Sequence, residues 1–216
     1  MPNPLRSDAR RNRELILAAA SELFSESGAD LSIDELARRA GVGHATIFRR
    51  FPCKDDLILA MIEQRLGELA ELVEEAADTD DAWEGLAAAM AIIAERQAMD
   101  RGLAEAAHSR VVGAPNLREA RQRILTPMAH LLSRAQTAGQ VRDDLHPEDL
   151  FFLIAAAANA SPCRFQIPGL WRRYLGVVLD GMRPEGASPL APAAPPLCDI
   201  EEAFETASSR SAATSS

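Results

Sequence analysis

The string GVGHATIFRRF, residues 41–51, carries an imidazole, a hydroxyl, two guanidinium groups and two phenyl rings, and no carboxylate. That set suits contact with a polyanion. Guanidinium groups bind phosphates or the guanine edge, and a threonine donates to phosphate or touches a thymine methyl. The pattern extends on both sides, because every charged residue from Leu36 to Lys54 is positive: Arg38, Arg39, Arg49, Arg50 and Lys54. Three more arginines crowd positions 10–13. The whole chain nevertheless has a formal net charge of -9. Residues 1–60 hold equal numbers of acidic and basic side chains, so the entire deficit lies beyond residue 60. A local basic patch can attract a polyanion while the body of the protein stays acidic. A solvated basic turn would carry the same charge, so the elements beneath the patch have to decide.

Other chemistries find less support. Cys53, Cys163 and Cys198 are widely spaced and odd in number, with no CxxC pair. His44, His108, His130 and His146 do not cluster with them, which disfavours a zinc site or a disulfide framework. No nucleophile–base pairing appears, and Gly41 and Gly43 make a turn and not a phosphate-cradling loop. Neither an enzyme nor a cofactor is expected. No apolar run approaches the length of a membrane span and the start lacks the apolar core of a signal peptide, so a cytoplasmic location is expected.

The elements that position the patch read as helices throughout. Residues 10–27 show two adjacent apolar stripes, Leu15, Ala19, Leu23 and Ile16, Ala20, Phe24, with Gly28 as a stop. Ser32 and Glu35 have capping-box spacing ahead of Ile33, Leu36, Ala37 and Ala40. Gly41-Val42-Gly43 then breaks the chain, and a short helix over 44–50 turns Ile47 inward towards Phe51. The periodicity predicts one long helix over 54–77, another over 82–99, a shorter one over 101–107, and one from Asn116 to Gly139 containing Pro127. Pro147 opens a helix through LFFLIAAAANA, and a last helix covers 170–182. With Ile47 inward, His44, Ala45, Thr46, Phe48, Arg49 and Arg50 share the outer and flanking faces of the third helix. Such a helix is suited to the major groove. Lys54 adds a cation where the start of the next helix already favours an anion.

Four strings in register resemble the DNA-binding domain of the TetR family of bacterial transcriptional regulators: ILAAASELFSESG (16–28), LSIDELARRAGVG (31–43), ATIFRRF (45–51) and PCKDDLILA (52–60). The resemblance implies that Ser32 meets phosphate at the start of the second helix. It implies that Thr46 and Phe48 touch the backbone from the recognition helix, and that Lys54 is the phosphate-binding lysine. Three positions depart from the family pattern. Gly43 stands in place of a hydroxyl cap, with His44 next in line to compensate. Phe48 replaces a tyrosine and so lacks its hydroxyl, and Arg50 replaces a histidine and restores positive charge. A second, shorter string, RRYLGVVLDGMRP (172–184), is similar to the end of the ligand-binding domains in one branch of the family.

The expected fold is therefore all-α. A three-helix helix-turn-helix domain at 1–55 precedes a helical effector-binding and dimerisation domain at 56–184, with a flexible Pro/Ala/Ser-rich tail at 185–216. The expected partners are double-stranded DNA, a second copy of the chain and a small-molecule effector. Phe151, Ile154 and Ala158 of the penultimate helix, with Trp171, Tyr174, Leu175, Val178 and Met182 of the last, form the expected homodimer face; the alternative is that they merely close the monomer's own core. Leu66, Met90, Ile93, Leu103, Ile124 and Met128 are the candidate effector walls, each also an ordinary core residue. The expected function is a repressor released from a palindromic operator by its effector. Against it stands a helical small-molecule or partner-binding protein without specific DNA recognition.

Overall fold

The computed structural model describes residues 4–27, 31–99, 117–160, 167–192 and 194. Among these residues the regular structure is entirely helical: α1 (Pro4–Ser27), α2 (Ile33–Ala40), α3 (His44–Arg50), α4 (Lys54–Ala77), α5 (Ala82–Met99), α6 (Arg118–Thr137), α7 (Pro147–Ala158) and α8 (Leu170–Gly181).

Local chemistry sets the boundaries. Ser32 caps α2 by accepting the Glu35 N–H at 3.5 Å. Gly41 ends α2 in the left-handed region at φ 65°, where a side chain would be strained, and the Val42 N–H returns to the Ala37 carbonyl at 3.1 Å. Asp81 accepts the N–H groups of Trp83 (2.9 Å) and Glu84 (3.1 Å) at the start of α5. The Glu84 N–H is the largest influence holding its carboxyl below the usual range. Pro147 sits at the first turn of α7, and Asp149 accepts the His146 N–H at 2.8 Å.

The helices over 54–77 and 82–99 lie where their periodicity places them. Helix α1 starts earlier than the pattern predicts, at Pro4, and its inward face is centred on Ile16, Leu17, Ala20, Leu23 and Phe24, which leaves Leu15 exposed. Helix α6 runs through Pro127 from Arg118, while the helix expected over 101–107 and the start expected at Asn116 lie outside the described residues.

Two cores share α4. The first gathers Ile16, Leu17, Leu23 and Phe24 of α1 with Leu36, Ile47 and Phe51, and takes Leu57, Met61 and Ile62 from α4 and Leu117 from just before α6. The second takes Leu69 and Val73 from α4 and joins them to Leu86, Met90, Leu131, Leu150, Trp171 and Met182. Leu66 packs against both. The change of partner thus falls near Leu66, inside one continuous helix, whereas residue 55 lies in its first turn. Each fully buried Leu, Ile or Met contributes roughly 1.5–3 kcal/mol of transfer free energy.

The start of the segment expected to be a free tail is tethered. Arg142 pairs with Asp144 at 2.6 Å and donates to the Ser188 carbonyl, and Asp144 accepts the Leu190 N–H at 2.9 Å. Residues 195–216 lie outside the described residues.

Candidate nucleic-acid interface

Helix α3 presents its candidate residues on one side because Ile47 is fixed on the other. Ile47 is buried, and its carbonyl accepts the Phe51 N–H at 2.8 Å, which sets the exit from the helix. The Arg13 guanidinium lies 6.0 Å from the Phe51 ring centroid and ties α1 to that exit. His44, Ala45, Phe48, Arg49 and Arg50 are exposed, and Thr46 is half-buried. Phe48 is 49% exposed, a large apolar surface to leave in water. Lys54 is half-buried as the first residue of α4, and Ser32 is exposed with its hydroxyl proton still free to donate towards phosphate.

The five cations of the sequence patch are not equivalent. Glu35 accepts from Arg38 at 2.8 Å and from Arg39 at 2.9 Å. Those bonds, Arg38 first, hold its carboxyl down to about 2, so it stays charged and offsets part of both arginines. Arg49, Arg50 and Lys54 have no ion-pair partner among the described residues and supply the uncompensated charge. Gly43 begins α3 with no side-chain cap, and His44 does not compensate. Its Nε2 reaches Asp34 Oδ1 at 3.0 Å, bridging the first turns of α2 and α3. Sequence reasoning missed that bridge, as it missed Arg65 of α4, which donates to Ser21 Oγ of α1 at 2.7 Å. Each joins residues on different helices, and no local periodicity signals such a contact.

The carboxy-terminal candidates sort by burial. Met90, Ile93, Ile124 and Met128 lie in the second core, Leu66 straddles the two cores, and Leu103 lies outside the described residues. Of the expected dimer face, Ile154, Ala158, Trp171, Leu175 and Met182 are buried within this one chain, and Phe151 and Val178 are half-buried. The physical reason is that α8 packs on α5 and α7, and its most regular apolar stripe closes that contact. Tyr174 is exposed, and with it stand Phe152 and Val177, residues the stripe does not include. Arg172 pairs with Glu95 of α5 at 2.5 Å and covers Trp171 with its centre 4.6 Å from the ring.

Among the described residues no group of three or more His, Cys, Asp or Glu side chains is placed to hold a metal ion, and no helix is long and apolar enough to cross a membrane.

Comparison with known proteins matches both halves. Residues 16–61 fit the model of bacterial regulatory proteins of the TetR family, and residues 78–184 fit that of the C-terminal domain of SbtR-like transcriptional regulators. An HTH-type transcriptional regulator of Staphylococcus aureus is 36% identical over 63 residues, covering 29% of this chain and 34% of the relative. The match to that curated relative therefore spans about a third of its length. Solved structures extend the likeness to both domains. A TetR transcription regulatory protein from Mycobacterium vanbaalenii is 31% identical with a TM-score of 0.58, over 83% of this chain and 99% of that one. A TetR transcriptional regulator from Streptomyces coelicolor is 32% identical with a TM-score of 0.58, over 80% of this chain and 99% of the other. With its outward-facing basic third helix and these matches across both halves, the chain belongs to the TetR family of bacterial transcriptional regulators.

Proposed function

We propose that this protein is a repressor, not an enzyme, that binds a palindromic operator as a homodimer and leaves it when a small molecule binds the carboxy-terminal domain. Residues 1–55 with the first turns of α4 serve as the DNA-binding unit, and the rest of the chain to residue 184 senses and dimerises. The observation that carries the reading is the outward side of α3, where Arg49 and Arg50 stand unpaired among the described residues beside an exposed Phe48. Ser32, His44, Ala45 and Thr46 flank that surface, and Lys54 adds its charge at the start of α4. Cations aimed at phosphates release condensed counterions, so affinity falls steeply with salt.

The test is fluorescence anisotropy on DNA from upstream of the protein's own coding region, across a salt series. Lys54→Ala and Arg50→Ala should each weaken binding and lower the salt slope by about 1. Binding that ignores salt, or variants that bind like the wild type, would favour a small-molecule or partner-binding protein instead.

A further inference from the structure

Gln97 is the one buried polar residue among the described residues, 8% exposed, and its Oε1 has no hydrogen-bond partner. Its place on α5 makes this unusual. Leu86, Met90, Ile93 and Gln97 follow one another at spacings of four, three and four, so Gln97 continues the inward stripe of the helix. Leu86, Met90 and Ile93 are buried and apolar, and none carries a donor for the glutamine oxygen. An amide carbonyl removed from water without a partner opposes folding, and methionine would fill similar space without that cost. A partner that arrives from outside the chain would satisfy that oxygen.

We propose that Gln97 is the polar anchor of the effector site, its Oε1 accepting a hydrogen bond from a neutral hydroxyl or N–H on an otherwise apolar molecule. This rests on the reading of the carboxy-terminal domain as effector-binding. The chemical class follows from the surroundings. A neutral acceptor asks for a neutral donor, since an ammonium would need a carboxylate to offset its desolvation and an anion would face the carbonyl lone pairs. Met90 and Ile93, on the same stripe of α5, belong with Ile124 and Met128 of α6 to one buried apolar core. Two of the four are unbranched methionines, which can repack around a hydrocarbon body. The effector is thus a largely hydrocarbon molecule with one donor head, and Gln97 selects that head.

The experiment compares n-octanol with its methyl ether, which keeps the chain and the oxygen but removes the donor. Full-length wild type and Gln97→Met are melted with and without each probe. The expected result is that n-octanol raises the wild-type melting temperature by several degrees more than the ether. Gln97→Met should melt at the same temperature as the wild type or higher without probe, and respond equally to both. A lower melting temperature for probe-free Gln97→Met would show that the glutamine holds the fold, and would overturn the proposal. Equal wild-type responses to the two probes, absence of response to both included, would overturn it too. Operator binding is measured separately without probe: its absence in wild type and variant alike would remove the repressor reading and leave the melting comparison to stand.

Discussion

On the outward side of α3, position 48 holds a ring without a hydroxyl, half in solvent. Such a ring acts by contact area, because it has no donor for phosphate. Phe48→Tyr should therefore bind the operator as well as the wild type or slightly better. Phe48→Ala should lose roughly tenfold in Kd, about 1.4 kcal/mol, with helicity unchanged. Anisotropy and circular dichroism decide this together, and an alanine variant with full affinity would make the ring a bystander. A second residue-scale prediction concerns Asp144, whose carboxyl the Arg142 guanidinium, and then the Leu190 N–H, hold well below the usual range. A carboxyl depressed on folding stabilises the native state above its unfolded pKa of about 3.9, and that contribution fades as pH falls towards the lower folded value. In Asp144→Ala the Leu190 amide should exchange faster with solvent at neutral pH. The melting-temperature gap from the wild type should close as pH drops below about 4. A gap that stays constant down to acid denaturation would mean that the carboxylate does not hold residues 188–190. The inward placing of Ile47 made Phe48, Arg49 and Arg50 legible as an outward set, whereas Thr46 is half-buried. The Asp34–His44 bridge was not legible, because a contact across two helices depends on their crossing and not on local spacing.

At Gly85, helix α5 lies close against α4, α6 and Thr79. A Cβ built there would lie 2.6 Å from Thr79 Cγ2, 2.8 Å from Leu131 Cδ2 and 3.1 Å from the Ala76 carbonyl oxygen. Neither Leu131, fully buried, nor a backbone carbonyl can yield easily. Gly85→Val should cost about 1–3 kcal/mol by overpacking, lowering the melting temperature by roughly 2–4 °C per kcal/mol in a chain of this size. A melting temperature equal to the wild type would show that the three helices can slide apart at that level. Helix spans were the most legible feature of the sequence, because apolar period, caps and prolines act locally; α2 and α3 follow from Ser32, Gly41 and Ile47. Which body a stripe faces is a different matter. The stripe Trp171, Leu175, Val178 and Met182 is as regular as an interface seam, yet it packs into the chain's own core, because periodicity records burial and not the identity of the cover.

Two-fold symmetry would present two copies of α3 to a palindrome and fix their separation, which one short helix cannot do alone. Phe152, Tyr174 and Val177 are large apolar side chains left exposed on α7 and α8, Val177 at 65%, and a second subunit would cover them. Val177→Glu should therefore give a folded monomer that no longer selects the operator, since a charge stranded in a contact costs several kcal/mol, order of magnitude. Val178 is a poorer place for that charge because it already packs against its own core. Light scattering at matched concentration reads the outcome: a monomeric wild type would remove the dimer, and a dimeric, folded Val177→Glu would move the interface elsewhere. Helix α4 also has a consequence for inheritance. Recombination between relatives can exchange a sensory half only where the break leaves both cores complete. A crossover at residue 55 would give the first core foreign neighbours at Leu57, Met61, Ile62 and Leu117. One placed near Leu66 still has to import a matching side chain for Leu117 from the other parent. Hybrids joined at the edge of the DNA-binding residues should thus be poorly folded, and lineages should hand down reader and sensor as one piece.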